Sequence, residues 1–225
     1  MTTLETAIAV PFTEGFVPFP YQGETFQTYY KLFGSLENRT RTPIVVLHGG
    51  PGLSHDYLLP LADLTSQSYP VFFYDQLGNA RSTHLPDKPP TFWTIDLFLD
   101  ELDNLLTHFG IQNDYHVVGH SWGGMMISEY IVRRQPSGLR RLVISDSPPA
   151  ISLWRRSFME LLQPFPPEVK EAIANGYKNQ QKYWAALMEV YAVHGCREKP
   201  FPEELEYSLL QNNGPNADRS VSNAP

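Results

Sequence analysis

The sequence predicts an α/β architecture, a mostly parallel sheet with helices on both faces. Three observations lead there. From residue 43 to residue 145, short β-rich runs alternate with longer stretches of helical periodicity. The apolar run Pro43-Ile44-Val45-Val46-Leu47 ends in His48-Gly49-Gly50-Pro51-Gly52, the pattern of a buried parallel strand followed by turn formers. The run Tyr115-His116-Val117-Val118 passes through Gly119-His120-Ser121-Trp122-Gly123-Gly124 into a helical stretch that reaches about residue 135.

The elements follow in order. Residues 14–34 alternate loosely around Gln22-Gly23-Glu24, a turn signal, so strands are expected at 15–20 and 25–33. A strand at 43–47, a helix near 54–67 and a strand at 70–74 come next. A helix near 94–109 carries Ile95, Leu97, Phe98, Leu102, Leu105, Leu106 and Phe109 as an apolar stripe at helical spacing. Strands at 115–118 and 139–145 flank the helix that follows Ser121. Residues 1–150 thus form the core unit. After Pro148-Pro149 the β-runs stop. Residues 151–211 are helical, aromatic and punctuated by proline, as expected of a helical cap that covers a site and excludes water. Residues 212–225 are polar, contain glycine and proline, and read as a disordered or aberrant tail.

The chemistry centres on Ser121. Glycines at 119 and 123 bracket it in a G-x-S-x-G pattern between strand and helix, the nucleophile elbow. Small residues are needed because the turn is tight and the serine backbone is strained. The hydroxyl then stands at a helix N-terminus, where developing negative charge is favoured. The glycines after the strand at 43–47 free backbone N–H groups to point inward. Gly50 and Trp122 are assigned as the two N–H donors of an oxyanion hole. Asp75 follows the strand at 70–74 and precedes the serine. The expected chain order is nucleophile, acid, histidine, so Asp75 reads as a loop organiser with Arg81 as its structural partner or a surface group.

Composition bounds the rest. A chain of 225 residues can bury about 70% of its unfolded surface in one core. A net charge of −7 argues against nucleic acid as a partner. Arg133-Arg134 sits at a helix end, where the dipole favours cations. The single cysteine, Cys196, excludes an intrachain disulfide and fits a reducing compartment. Residues 1–11 lack a basic n-region and an apolar core, and no apolar run is long enough to cross a membrane. A cytoplasmic protein is expected.

HGGPG, YDQLGNARS and VVGHSWGG together resemble the proline iminopeptidase family, serine peptidases of the α/β-hydrolase fold. The resemblance runs from about residue 14 to residue 216. It implies release of an N-terminal residue, often proline, from a small peptide or amide, with neither metal nor organic cofactor. Ala192-Val193-His194-Gly195-Cys196-Arg197 is similar to the family's cap. It also implies two further strands after the cap, bearing the catalytic acid and histidine, and residues 150–225 hold no β-run for them. Some relatives of this fold place the acid after the sixth strand, which makes Asp146 a candidate acid. Asn213-Gly214-Pro215-Asn216 resembles a family segment that continues with glutamate and phenylalanine, where the glutamate helps bind the substrate's α-amine; Ala217 and Asp218 stand here instead. A truncated, spliced or frameshifted product diverging after Asn216 is expected, with impaired activity.

No histidine of the chain has the expected place of a base. His48 and His120 lie inside motifs and are expected to shape loops. His55 and His84 sit in loops after strands, His108 and His116 at the far end of the sheet, and His194 in the cap, a poor position. The alternatives are an esterase, amidase or lactone hydrolase of the same fold, or a non-catalytic fragment that binds a ligand or partner. An epoxide hydrolase is disfavoured because that chemistry places a carboxylate where Ser121 stands.

Overall fold

The computed structural model describes residues 10–214 and 217–223. The expectations for residues 1–9, for Pro215-Asn216 and for the last two residues lie outside them. The chain opens with an antiparallel hairpin, β1 (Phe12–Tyr21) and β2 (Glu24–Phe33). Gln22 and Gly23 both take positive φ, 48° and 84°, the backbone of the two-residue turn that matches strand twist. β3 (Ile44–Leu47), β4 (Val71–Tyr74), β5 (Tyr115–His120) and β6 (Leu139–Ser145) complete a six-stranded sheet of order β1-β2-β4-β3-β5-β6. β2 meets β4 antiparallel, and the pairs β3–β4, β3–β5 and β5–β6 are parallel.

Every residue of β3 and β4 is buried. Side chains alternate across a strand, so both faces must be covered. Val45, Leu47, Phe72 and Tyr74 face α1 (Ile95–His108) and α2 (Trp122–Arg134). Ile44, Val46, Val71 and Phe73 face the segment Asp56–Gln67. α1 starts where Thr94 Oγ1 accepts from the Leu97 amide at 3.3 Å, an N-cap bond. The expected stripe is buried at Leu97, Phe98, Leu102, Leu105 and Leu106. Asp56–Gln67 differs from the expected helix: it winds as a 3-10 helix with Pro60 inside. Proline donates no N–H and its ring crowds the preceding turn, which opposes a regular α-helix there.

Glu101, on the buried side of α1, carries no neutralising partner among the described residues. Its carboxyl accepts from Thr28 Oγ1 at 2.6 Å and from the Leu77 amide at 3.0 and 3.1 Å. Burial pushes its pKa from 4.5 up to about 8, against the opposing pull of those donors. The folded state therefore holds a proton that the unfolded chain has lost between about pH 4.5 and pH 8. That contribution is complete below the unfolded value and disappears as pH rises through the folded one. Glu101→Gln, which mimics the protonated carboxyl, is expected to melt with the parent near pH 4.5 and above it at pH 9. Parallel thermal melts check this; equal melting temperatures at pH 9 would contradict it.

Beyond β6 the chain is helical, as expected: α3 (Ile151–Leu161), α4 (Pro167–Asn175), α5 (Gln180–His194) and α6 (Glu203–Asn213). Leu162, Val169, Ala186 and Val190 form a small core of their own. α6 is fastened to the loop after β3 by Ser208. Its Oγ accepts from the Ser54 amide at 3.0 Å and donates to the Ser54 carbonyl at 3.1 Å. β6 closes the sheet on one side and, among the described residues, pairs only with β5. Val143 and Ile144 on it are 54% and 49% exposed.

The tail differs from the expected disorder. α6 runs through Asn213, and Val221 is buried in the main core. Asp218 meets His84 Nδ1 at 2.9 Å, Arg219 lies 4.3 Å over the Tyr177 ring, and Ser222 Oγ donates to Asn212 Oδ1 at 2.7 Å. Polar composition suggests a solvated segment, but one valine has found a socket. Gly78 supplies the room: a Cβ there would sit 2.5 Å from Val221 Cγ2.

Candidate active site

Ser121 occupies the junction of β5 and α2 with φ 50° and ψ −116°, a backbone that residues with a Cβ rarely adopt. The bend is held by dense contacts around it. The Ser121 amide donates to the Ser145 carbonyl at 2.9 Å, tying the turn to β6. The Ser121 carbonyl accepts from the Gly124 and Met125 amides and from Ser147 Oγ, at 3.0, 3.1 and 2.6 Å. A Cβ on Gly119 would meet the Gly123 carbonyl oxygen at 2.7 Å, and one on Gly123 would meet the Leu47 carbonyl oxygen at 2.3 Å. The two bracketing glycines are therefore sites of backbone-to-backbone approach, as the elbow requires.

The glycine loop after β3 lies against this turn. A Cβ on Gly49 would be 3.0 Å from Ser121 Cβ. Gly50 has φ 122°, and a Cβ there would be 2.6 Å from the Gly52 nitrogen. Trp122 is the first residue of α2, where no carbonyl of the preceding turn is placed to accept its N–H. A chain of side-chain bonds holds the loops together. Trp122 Nε1 donates to Gln76 Oε1 at 2.9 Å, Gln76 Nε2 donates to the His48 carbonyl at 3.2 Å, and the Gln76 amide donates to His48 Nε2 at 3.0 Å. His48 Nδ1 lies 2.8 Å from the Gly49 carbonyl oxygen. The ring is fully buried, which lowers its pKa and keeps it a neutral acceptor for the Gln76 amide.

Asp75 sits one loop further out. Its Oδ1 accepts from the His55 amide at 3.0 Å and lies 2.7 Å from His55 Nδ1. Its Oδ2 accepts from Arg81 Nη1 at 3.1 Å, and Arg81 grips Asp56 through two bonds of 2.9 Å. Burial alone would raise the Asp75 pKa; the bonds and charge of His55 outweigh it and hold the carboxyl at about 2. The loop-organising reading of Asp75, with Arg81 as its partner, matches this arrangement. His55, Asp56 and Asp75 offer ligand atoms within 4.8 Å of one another, but Arg81 already neutralises the carboxylates. A divalent cation would have to displace that guanidinium, so the donor set does not fit one.

A cavity of about 830 Å³ opens over Ser121, and α3, α5 and α6 roof it. Trp154, Phe158 and Leu161 from α3 and Tyr191 from α5 give it an apolar wall; Trp154 and Phe158 stack at 5.3 Å. His120, Asp146, His194, Glu198 and Glu204 supply its polar groups. Asp146 follows β6 at φ 50°, exposed, with its Oδ2 accepting from Ser145 Oγ at 2.7 Å and 3.9 Å from His120 Nε2.

Among the described residues no hydrogen bond reaches Ser121 Oγ from a histidine or any other group. His55 is buried against Asp75 and His84 pairs with Asp218, so neither approaches the serine. His194 is the exception to the expected positions: it stands at the end of α5 and lines the cavity. Tyr57 has no place in the sequence reading. Its Oη accepts from the Gly49 amide at 2.7 Å and lies 2.7 Å from His120 Nδ1. A tyrosine in a helix-like stretch gives no local sign of such a contact.

Comparison with known proteins identifies the fold and the family. A family model described as the α/β hydrolase fold matches residues 42–181. The chain is 34% identical over 198 residues to a proline iminopeptidase of Clostridium botulinum, covering 86% of this chain and 64% of that protein. It is 32% identical to that of Lactobacillus delbrueckii subsp. lactis, covering 84% and 65%. The chain thus spans just under two thirds of the length of these curated relatives. Among solved structures, VinJ superposes with a TM-score of 0.83 at 39% identity, over 95% of this chain and 71% of VinJ. A proline iminopeptidase of Mycobacterium smegmatis gives 0.74 at 37% identity, over 94% and 71%. No helix among the described residues is long and apolar enough to cross a membrane. The chain belongs to the α/β-hydrolase family and, within it, to the relatives of the proline iminopeptidases.

Proposed function

We propose that this chain carries the nucleophile, oxyanion donors and cap of a serine hydrolase that releases an N-terminal residue, proline among them, from small peptides or amides. The observation that carries the reading is Ser121 at positive φ, at the head of α2 and on the floor of a capped cavity. Ser121 Oγ attacks the carbonyl carbon of the scissile amide. The N–H groups of Gly50 and Trp122 hold the oxyanion as it forms. Collapse of the tetrahedral adduct expels the amine, which takes up a proton, and leaves an acyl-enzyme that water hydrolyses. This chemistry uses neither metal nor organic cofactor. The cytoplasm is the proposed compartment; the lone cysteine, half-buried and unpaired, fits reducing conditions there.

The first proton transfer needs a base. That no hydrogen bond reaches Ser121 Oγ among the described residues supports the view that these residues do not provide one. It also supports the view that Asp146, 3.9 Å from His120 Nε2, does not complete a triad here. Loss of a triad histidine costs about 10⁶ in kcat and leaves roughly 10³–10⁴ over water. The chain alone is therefore expected to cleave proline p-nitroanilide only at that residual level, and a fluorophosphonate probe to label Ser121 slowly. Ser121→Ala should abolish the label. Fast turnover lost in Ser121→Ala would show that a base is present. Labelling unchanged in Ser121→Ala would remove Ser121 as nucleophile. The apolar wall of the cavity also suits an ester or amide with a bulky apolar group. Comparing a p-nitrophenyl ester with the prolyl amide separates the two substrate classes.

A further inference from the structure

Tyr57 joins two parts of the candidate site that are far apart in sequence. Its Oη lies between the Gly49 amide and His120 Nδ1, at 2.7 Å from each. The approach is close on every side: a Cβ on Gly49 would meet Tyr57 Oη at 2.9 Å and His120 Nδ1 at 3.0 Å. The two rings cross edge to face, with centroids 5.2 Å apart. The protons available around Tyr57 Oη favour one tautomer of the histidine. The Gly49 N–H can only donate, so Tyr57 Oη accepts from it. Tyr57 has one proton of its own, and among the described residues His120 Nδ1 is the one acceptor its oxygen touches. A bare Nδ1 gives that proton an acceptor at 2.7 Å, whereas the reverse direction, Nδ1–H donating to Oη, would turn the hydroxyl proton out into the cavity that Tyr57 lines. The opposite edge agrees: Nε2 faces the Asp146 carboxylate at 3.9 Å, an acceptor that favours a proton there.

We infer that Tyr57 locks His120 as a neutral ring protonated on Nε2 alone, which makes it a hydrogen-bond donor into the cavity beside Ser121 and excludes it as the base for that serine. Burial favours the neutral ring by lowering its pKa, with Asp146 opposing in part. The ring's one basic lone pair is occupied by the Tyr57 hydroxyl, which also binds the glycine loop. What His120 offers a ligand is an N–H, suited to a carbonyl or carboxylate oxygen. Tyr57 is a positioning residue in this arrangement. It holds the amide next to Gly50 with the same oxygen that sets the tautomer, so the loop and the donor are fixed together. The inference deepens the serine hydrolase reading by giving a ligand contact in its cavity. Its geometry does not depend on turnover.

The test is the tautomer itself. Protein labelled with ¹⁵N-histidine is examined at pH 7 by long-range ¹H–¹⁵N correlation of the rings, with His120→Gln to assign the signal. The expected result is a His120 ring protonated on Nε2 only, together with exchange of the Gly49 amide hydrogen that is at least about tenfold faster in Tyr57→Phe. The amides of Leu102 and Leu105 serve as reference and should be unchanged. A proton on Nδ1, an imidazolium at pH 7, or unaltered Gly49 exchange in Tyr57→Phe would overturn the inference. If Tyr57→Phe does not fold, the tautomer in the parent protein decides alone. A failed hydrolysis assay would count against the proposed function and leave this readout intact.

Discussion

Asp75→Ala is expected to lower stability by about 3–5 kcal/mol, the usual cost of removing one partner from a buried ion pair. For a chain of this length that corresponds to a fall in Tm of roughly 10 °C. Asp75 is fully buried and has partners on both oxygens. Its loss strands the His55 ring, which already has one buried nitrogen without a partner, and leaves Arg81 with Asp56 alone. The loop after β3 would lose the bond that fixes His55, a little downstream of Gly49 and Gly50 in the same loop. Acid should reproduce part of the effect. The Asp75 carboxyl is held at about 2 in the folded state against an ordinary 3.8. Its contribution is present above pH 3.8 and is lost as pH falls through 2. Chemical denaturation at pH 7 and pH 3 measures both; an Asp75→Ala protein as stable as the parent at pH 7 would show that the network is ornamental.

Gly123→Ala is the second large effect. The added methyl would lie 2.3 Å from the Leu47 carbonyl oxygen and 2.8 Å from that of His48, both backbone atoms that cannot rotate away. The start of α2 would have to move off the end of β3, and Trp122 would move with it. A loss of about 3 kcal/mol or more is expected, the upper range for overpacking, with labelling of Ser121 abolished. Gly110→Ala is the control. Its φ is 63° and nothing lies within 4 Å of the new carbon, so only backbone strain of about 1 kcal/mol remains. Urea midpoints at unchanged m-value separate the two. If both substitutions cost the same, close approach at the elbow is not what requires glycine.

The elements that carry the site are legible because their signals are local. A β-branched run before Gly119 and an apolar run before His48 announce strands, and glycines at fixed offsets announce the turns. Asp75 and Arg81 are legible as partners because they share one short loop. Tyr57 and Gln76 are not, since each bonds residues brought near only by the strand order, and His194 is not, since the cavity it lines forms only when the helices after β6 pack. Periodicity says which face of a helix is apolar; it does not say that a tyrosine will reach a histidine 63 positions later. The tail misleads for a related reason. Composition averages over a segment, whereas Val221 is buried because of one gap beside Gly78 and Trp93. Pro60 is the reverse case, a local signal overridden in the reading by the helical pattern around it.

β6 has a consequence for how the molecule behaves in company. Among the described residues, one flank of that strand leaves its backbone donors and acceptors without a paired strand, with the exposed Val143 and Ile144 beside them. A strand that is unpaired on one flank is a template on which a second backbone can add, so self-association of these residues is expected to rise with concentration.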